Sequence, residues 1–111
     1  MVPEIRVEEY TVDGRSPFQE WHDRLHAQTA AFVSVAIARL ADGNTSNVKS
    51  IGEGVSELKI NRGPGYRVYF GWDGNMLVIL LGGGTKQRQQ VDIDAAQHRW
   101  RDYKARKRAK G

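Results

Sequence analysis

The chain has 111 residues, enough for one domain with a single modest core and too few for two. Its 40% hydrophobic content and three Trp exclude the disordered class, and the lack of cysteine excludes disulfide frameworks and thiolate metal sites. The net charge of +4 is unevenly spread: residues 97–111 hold seven of the 17 Lys and Arg and one of the 13 acids, which makes that segment +6 and the rest −2. A basic segment on a near-neutral body points to a polyanionic partner, nucleic acid or an acidic protein. The first ten residues carry acids where an export signal carries an apolar core, and the longest apolar run, 76–81, is far short of a membrane span. A cytoplasmic protein without membrane association is expected.

The pattern of residues 4–11, with Ile5 and Val7 alternating against charge, predicts a short strand. Asp13-Gly14 marks a loop. Ser16, Pro17 and Gln19 then form a helix start, with an N-cap, a proline at the first helical position and a capping-box glutamine. Helical composition runs to Asp42. Phe18, Trp21 and Leu25 make one stripe, and Phe32, Val33, Ala36, Ile37 and Leu40 make another; the polar stretch 26–29 between them suggests a turn joining two helices. Gly43-Asn44 is a C-cap, and residues 45–54 read as a polar loop.

Three strands follow, over residues 55–61, 66–72 and 76–81, separated by Gly63-Pro64-Gly65 and by Asp73-Gly74-Asn75. Gly82-Gly83-Gly84 is read as the exit of the backbone from the sheet. Asp94 is the candidate cap of a last helix through about Lys107. The predicted fold is α+β: an antiparallel-rich, four-stranded sheet in the order β-α-α-β-β-β-α, with two helices on one face and a basic C-terminal helix from about residue 95, all in one domain over residues 1–111.

Alternation along strands sorts the side chains further. Leu58, Ile60, Tyr66, Val68 and Phe70 belong to the helix-covered face, so Glu57, Lys59, Arg67 and Tyr69 face the other way. Lys59 and Arg67 are expected to emerge together on an open face, with Tyr69 beside them and with Lys86 and Arg88 at the end of the next strand. An ordinary antiparallel sheet also carries charge on its wet face.

The stretches Gly52-Glu53-Gly54-Val55-Ser56-Glu57-Leu58-Lys59-Ile60, Gly63-Pro64-Gly65-Tyr66-Arg67-Val68-Tyr69-Phe70 and Leu80-Leu81-Gly82-Gly83-Gly84-Thr85-Lys86, with Pro17-Phe18, Trp21 and Leu25, resemble the RelE/ParE toxin superfamily. The similarity is to its phage-derived, addiction-module killer (HigB-like) branch. It runs from Phe18 through the final helix. It implies a RelE-like fold and a type II toxin that cuts messenger RNA, usually on the ribosome. It also implies silencing by a cognate antitoxin, in this branch commonly a helix-turn-helix protein encoded alongside. The family's strand lysine falls on Lys59, the arginine of its Gly-Tyr-Arg motif on Arg67, and the basic residue after its last strand on Lys86.

Independently of the resemblance, RNA supplies its own nucleophile, the 2′-hydroxyl, so no metal or other cofactor is required. A base, an acid and cations around the phosphate suffice. Arg67 suits bidentate phosphate contact. Lys59 is the base candidate, a role that crowding by Arg62, Arg67 and Lys86 favours by disfavouring the charged amine. Lys86 is a candidate for neutralising phosphate charge or protonating the leaving group, and Tyr69 for stacking on a base. Arg62, Arg88, Arg99 and Arg101 are candidate substrate contacts, with Lys104 and Lys107 adding to the phosphate-binding charge. Two positions depart from the family pattern. Asp92 stands where some members have a tyrosine, and Glu57 where some have a second lysine; both acids are candidates for proton transfer, or else a cap and a surface charge.

Other features carry less. His22 and His26 have i, i+4 spacing but no third metal ligand, and His98 stands alone. Residues 82–86 lack the spacing of a phosphate loop. Trp21, Phe32, Val33 and Ile37 read as core, Trp72 as a hairpin cap or partner anchor, and Trp100 with Tyr103 as the docking face of the last helix. Two other functions compete with the nuclease: a ParE-like DNA gyrase inhibitor without RNA chemistry, and a non-catalytic basic module that binds nucleic acid or a protein partner.

Overall fold

The computed structural model describes residues 4–111; the first three residues of the segment read as lacking an export signal lie outside them. Strands β1 (Arg6–Glu9), β2 (Val48–Gly52), β3 (Val55–Ile60), β4 (Tyr66–Asp73) and β5 (Leu77–Thr85) join helices α1 (Pro17–Asp23), α2 (Ala27–Ala41) and α3 (Gln89–Lys110). A 3-10 turn, Lys86–Arg88, leads from β5 into α3. No helix among the described residues is long and apolar enough to cross a membrane.

The α+β class holds, but the sheet has five strands and mixed pairing, not four, in the order β1-β5-β4-β3-β2. The added strand is β2, inside the segment read as a loop. It is an edge strand whose only buried contribution is partial, from Val48 and Ile51, so it lacks the apolar alternation that marks a strand in sequence. At the other edge β1 runs parallel to β5, with Arg6 opposite Leu77 and Glu9 opposite Leu80. The remaining pairs are antiparallel.

The start of α1 follows the sequence pattern: Ser16 Oγ accepts a hydrogen bond from the Gln19 amide at 3.0 Å, and Pro17 opens the helix. The reciprocal half of the capping box is not made, because the Gln19 amide group donates to Asp23 at 2.7 Å instead. His22 and His26 do not share a helix. Residue 26 caps α2, while His22 Nε2 sits 3.2 Å from both the Ala30 carbonyl and Ser34 Oγ, a packing role between the two helices.

The sheet is covered on both faces. On one, α1 and α2 bury Phe18, Val33 and Leu40 against Leu58, Ile60, Val68, Phe70, Val78 and Leu80; Leu58, Ile60, Val68 and Phe70 are expected there from alternation, and Tyr66 of the same expected set packs half-buried beside them. Each such side chain contributes about 1.5–3 kcal/mol. On the other, α3 buries Ala96 and Trp100 against Val55, Tyr69, Ile79 and Leu81. The face expected to be open is therefore open only ahead of the first turn of α3, around Lys59 and Lys86. The helix is also longer than expected, and Asp94 lies within its second turn, accepting from Gln90 at 2.8 Å.

Gly82-Gly83-Gly84 stays in β5 and does not leave the sheet. The reason is room: a Cβ at Gly83 would overlap the Trp21 ring on one face, and one at Gly84 the Asp92 carboxylate on the other. The irregularity at Leu81, where Tyr69 pairs with Gly82 and Phe70 with Leu80, lets β5 keep its apolar residues against both layers.

The far end of α3 is held by polar contacts. Tyr10 donates to Asp102 at 2.7 Å, Tyr103 donates to Asp73 at 2.6 Å, and Lys107 reaches both Asp73 oxygens at 2.5 and 2.6 Å. Lys107 first and Tyr103 second hold the Asp73 carboxyl below the usual carboxylate range. A depressed carboxyl stabilises the fold at pH above its unfolded-state value, and that increment disappears as pH falls through the folded-state value. Asp73→Asn is thus expected to lower the urea midpoint at pH 7 and to flatten its decline toward acid. Parallel acid slopes for the two proteins would contradict this.

Candidate functional site

The β3–β4 register places Lys59 opposite Arg67 and Glu57 opposite Tyr69, and β4–β5 places Arg67 opposite Gly84. With a period of two, Glu57, Lys59, Arg67 and Tyr69 share the face that carries α3. Lys59 and Arg67 therefore emerge on one side of the sheet, as their spacing predicts. Their surroundings differ: Lys59 is exposed, whereas Arg67 is 6% and Glu57 4% exposed.

The two buried groups pair, Arg67 Nε donating to Glu57 Oε2 at 3.2 Å. Glu57 thus offsets the Arg67 charge, removing part of the positive field expected around Lys59. The pairing uses one edge of the guanidinium. Its Nη1 is buried and has no hydrogen-bond partner among the described residues. Arg67 lines a depression of about 380 Å³ together with Lys59, Asn61, Arg62, Gly65 and Lys86. A Cβ at Gly65 would lie 3.8 Å from Nη1, so the turn carrying this glycine is the near wall.

That wall is tied to the end of β5. The Lys86 amide donates to the Gly65 carbonyl at 3.2 Å, and the Gly65 amide to the Arg62 carbonyl at 2.8 Å. These two bonds fix the Lys86 backbone across the depression from Lys59. Arg62 lies with its guanidinium carbon 3.8 Å from the centroid of the Phe32 ring. Sequence reasoning put Phe32 wholly in the core. It is in fact half-buried at the α2 edge, and no local pattern announces a contact between residues 30 positions apart.

Tyr69 is fully buried beneath α3, so neither face of its ring is free for a base. Its hydroxyl lacks a partner among the described residues. Burial, followed by the negative fields of Glu57 and Asp92, pushes it up to about 12 against the opposing pull of Arg67. Asp92 stands in the first turn of α3 over Gly84, and burial raises its carboxyl despite Arg88 and Arg99. Glu57, Arg67, Tyr69 and Asp92 thus form one polar layer at the entrance between sheet and helix.

The other predicted contacts lie elsewhere. Arg88 is exposed on the 3-10 turn. Arg99 is half-buried and donates to the Leu81 carbonyl at 2.9 Å, fastening α3 to β5. Arg101 pairs with Glu53 at 3.2 Å, both exposed, at the β2–β3 turn. The 22-residue α3 is about 33 Å long, so its basic last turns point away from the depression. Lys104 lies over the Trp100 ring at 5.8 Å, and Arg106 bonds to Asp102 and the Thr11 carbonyl at 2.8 Å each. Much of the basic segment is therefore structural anchoring. Among the described residues no cluster of three or more His, Asp or Glu is placed to hold a metal ion.

Residues 20–101 match the family described as Phage derived protein Gp49-like (DUF891). An uncharacterized protein of Haemophilus influenzae (strain ATCC 51907 / DSM 11121 / KW20 / Rd) is 41% identical over 80 residues, covering 71% of this chain and 81% of that protein. The family match takes in every residue around the depression and stops before the last two and a half turns of α3.

Proposed function

The chain belongs to the phage-derived Gp49-like family, a toxin-like family of toxin–antitoxin systems, and from that premise we propose that it is a type II toxin of the HigB-like branch that cuts messenger RNA on the ribosome without a metal. The observation that carries this reading is the spare Nη1 of Arg67, a buried donor without a partner at the wall of a depression flanked by Lys59 and Lys86. An unsatisfied buried donor costs about 1–3 kcal/mol, which an incoming phosphate oxygen would recover.

In the proposed reaction the 2′-oxygen attacks the adjacent phosphorus while the bond from phosphorus to the 5′-oxygen breaks. The products are a 2′,3′-cyclic phosphate and a 5′-hydroxyl. Lys59 takes the 2′-hydroxyl proton, and Lys86 gives a proton to the departing 5′-oxygen. Arg67 donates to the non-bridging oxygens as charge gathers on them. Glu57 is committed to orienting Arg67. Asp92, whose carboxyl is raised by burial, is the remaining acid for proton transfer beside Lys86. Arg62 supplies further positive charge at the rim. The partners in this reading are the ribosome-bound message and a helix-turn-helix antitoxin encoded alongside.

The test is induced expression followed by primer extension on cellular transcripts. Wild type is expected to generate new 5′ ends, and Lys59→Ala to reduce them about 10²- to 10⁴-fold, the usual worth of a positioned proton-transfer group. Arg67→Ala is expected to do the same, with circular dichroism as the control for folding. Intact transcripts together with trapped gyrase–DNA complexes would reassign the protein to the gyrase inhibitors.

A further inference from the structure

We propose that Phe32 and Arg62 form a nucleobase-stacking subsite for the unpaired base next to the scissile phosphate, an inference that rests on the ribonuclease reading above. The Arg62 guanidinium carbon lies 3.8 Å from the centroid of the Phe32 ring, so the cation is held over that ring at the α2 edge. Arg62 is exposed, so its outer face is free. Single-stranded RNA is gripped by stacking splayed bases on aromatic rings or on guanidinium planes. A guanidinium already held against a ring loses little further freedom when a base lands on it.

Position favours the same reading. A second depression, of about 320 Å³, lies between α2 and the end of β3, lined by Phe32, Val35 and Arg39. Lys59, Asn61 and Arg62 line this depression and also the one holding Arg67 and Lys86. A strand with its phosphate against Arg67 therefore has its neighbouring nucleotide over Arg62. Arg39, Lys59 and Arg62 are the charged residues of the second lining, so it suits a polyanion. Val35, at 48% exposure, adds an apolar wall. Asn47 and Asn61 also reach this space, and a carboxamide presents both donors and an acceptor to the edge of a base. The Asn47 carbonyl accepts from the Lys59 amide at 3.0 Å, which fixes that loop beside the candidate base.

The experiment is fluorescence anisotropy with a labelled hexanucleotide of 2′-deoxyribose residues, which offers no 2′-hydroxyl and cannot be cut. It is compared with the same strand carrying one abasic position, moved along the strand in turn. Wild type is expected to lose about tenfold in affinity at one abasic position. Arg62→Lys keeps the charge and removes the plane, so it is expected to bind the complete strand about tenfold more weakly and the abasic strand as wild type does. Phe32→Leu, which preserves most of the core volume, should follow the same pattern if folding is intact by circular dichroism. Equal binding of complete and abasic strands by wild type, or an equal loss on both strands in Arg62→Lys, overturns the subsite. Transcript cutting in cells is scored separately. A wild-type base effect without cutting would refute the nuclease and keep the subsite, and cutting without a base effect would do the reverse.

Discussion

Glu57→Ala is expected to destabilise the protein by about 3–5 kcal/mol, because it leaves the 6%-exposed Arg67 guanidinium in the interior without its counter-charge. At about 4 °C per kcal/mol for a domain of this size, thermal unfolding should move down by roughly 12–20 °C. Glu57→Gln retains an acceptor for Nε and should lose less. A paired change of Glu57→Met with Arg67→Leu removes both charges and is expected to restore most of the stability while leaving the protein unable to cut RNA. This separates the two roles of the pair, since a buried ion pair is costly to break and often cheap to replace. A melting point for Glu57→Ala within a few degrees of wild type would mean that water reaches the guanidinium, and the site geometry would need redrawing.

The second large effect belongs to the contact that docks α3. A Cβ at Gly71 would lie 2.6–2.7 Å from three atoms of the Trp100 ring, so the helix approaches bare backbone of β4. Trp100 also stacks on Tyr103, with centroids 5.2 Å apart and planes 5° from parallel. Trp100→Ala is expected to cost about 3–5 kcal/mol, and Gly71→Ala about 1–3 kcal/mol by overpacking. The sign of their interaction is the sharper test. Once the indole is gone, alanine at 71 has space, so the double variant should be more stable than the sum of the single losses predicts. Strict additivity in urea melts would show that the ring moves aside freely.

How much of this was legible depended on whether the signal was local. The hairpins on either side of β4 were, because Gly63-Pro64-Gly65 and Asp73-Gly74 punctuate runs of alternating apolar residues. Alternation also placed Lys59 and Arg67 on one face. Glu57 as the partner of Arg67 was not legible. The pair is diagonal across the ladder, and a strand carrying both acid and base reads equally as a wet surface. The covering of that surface was hidden for a related reason. Trp100 and Tyr103 read as the docking face of α3, but the seven basic side chains in and after its middle turns give no sign of which face of the sheet they dock on. The glycine run in β5 was misread because glycine signals exit from a sheet as readily as close approach by a neighbour, and only the presence of Trp21 and Asp92 decides between them. Likewise Arg99 and Arg101 carry the right charge for RNA, but their positions along the helix send one to a backbone carbonyl and the other to Glu53.

The pairing of β1 with β5 has a consequence during synthesis. Arg6 waits for Leu77, 71 positions later, before its strand has a neighbour. At about 5–20 residues per second, a ribosome takes roughly 4–14 s to make that stretch. Throughout this interval the leading strand trails from the nascent chain with its backbone donors and acceptors unpaired, open to any extended segment that meets it first. The meander from β2 to β5 can close by neighbouring turns, so it has no such delay. A binding protein that caught the early strand would meet the chain before its sheet was complete.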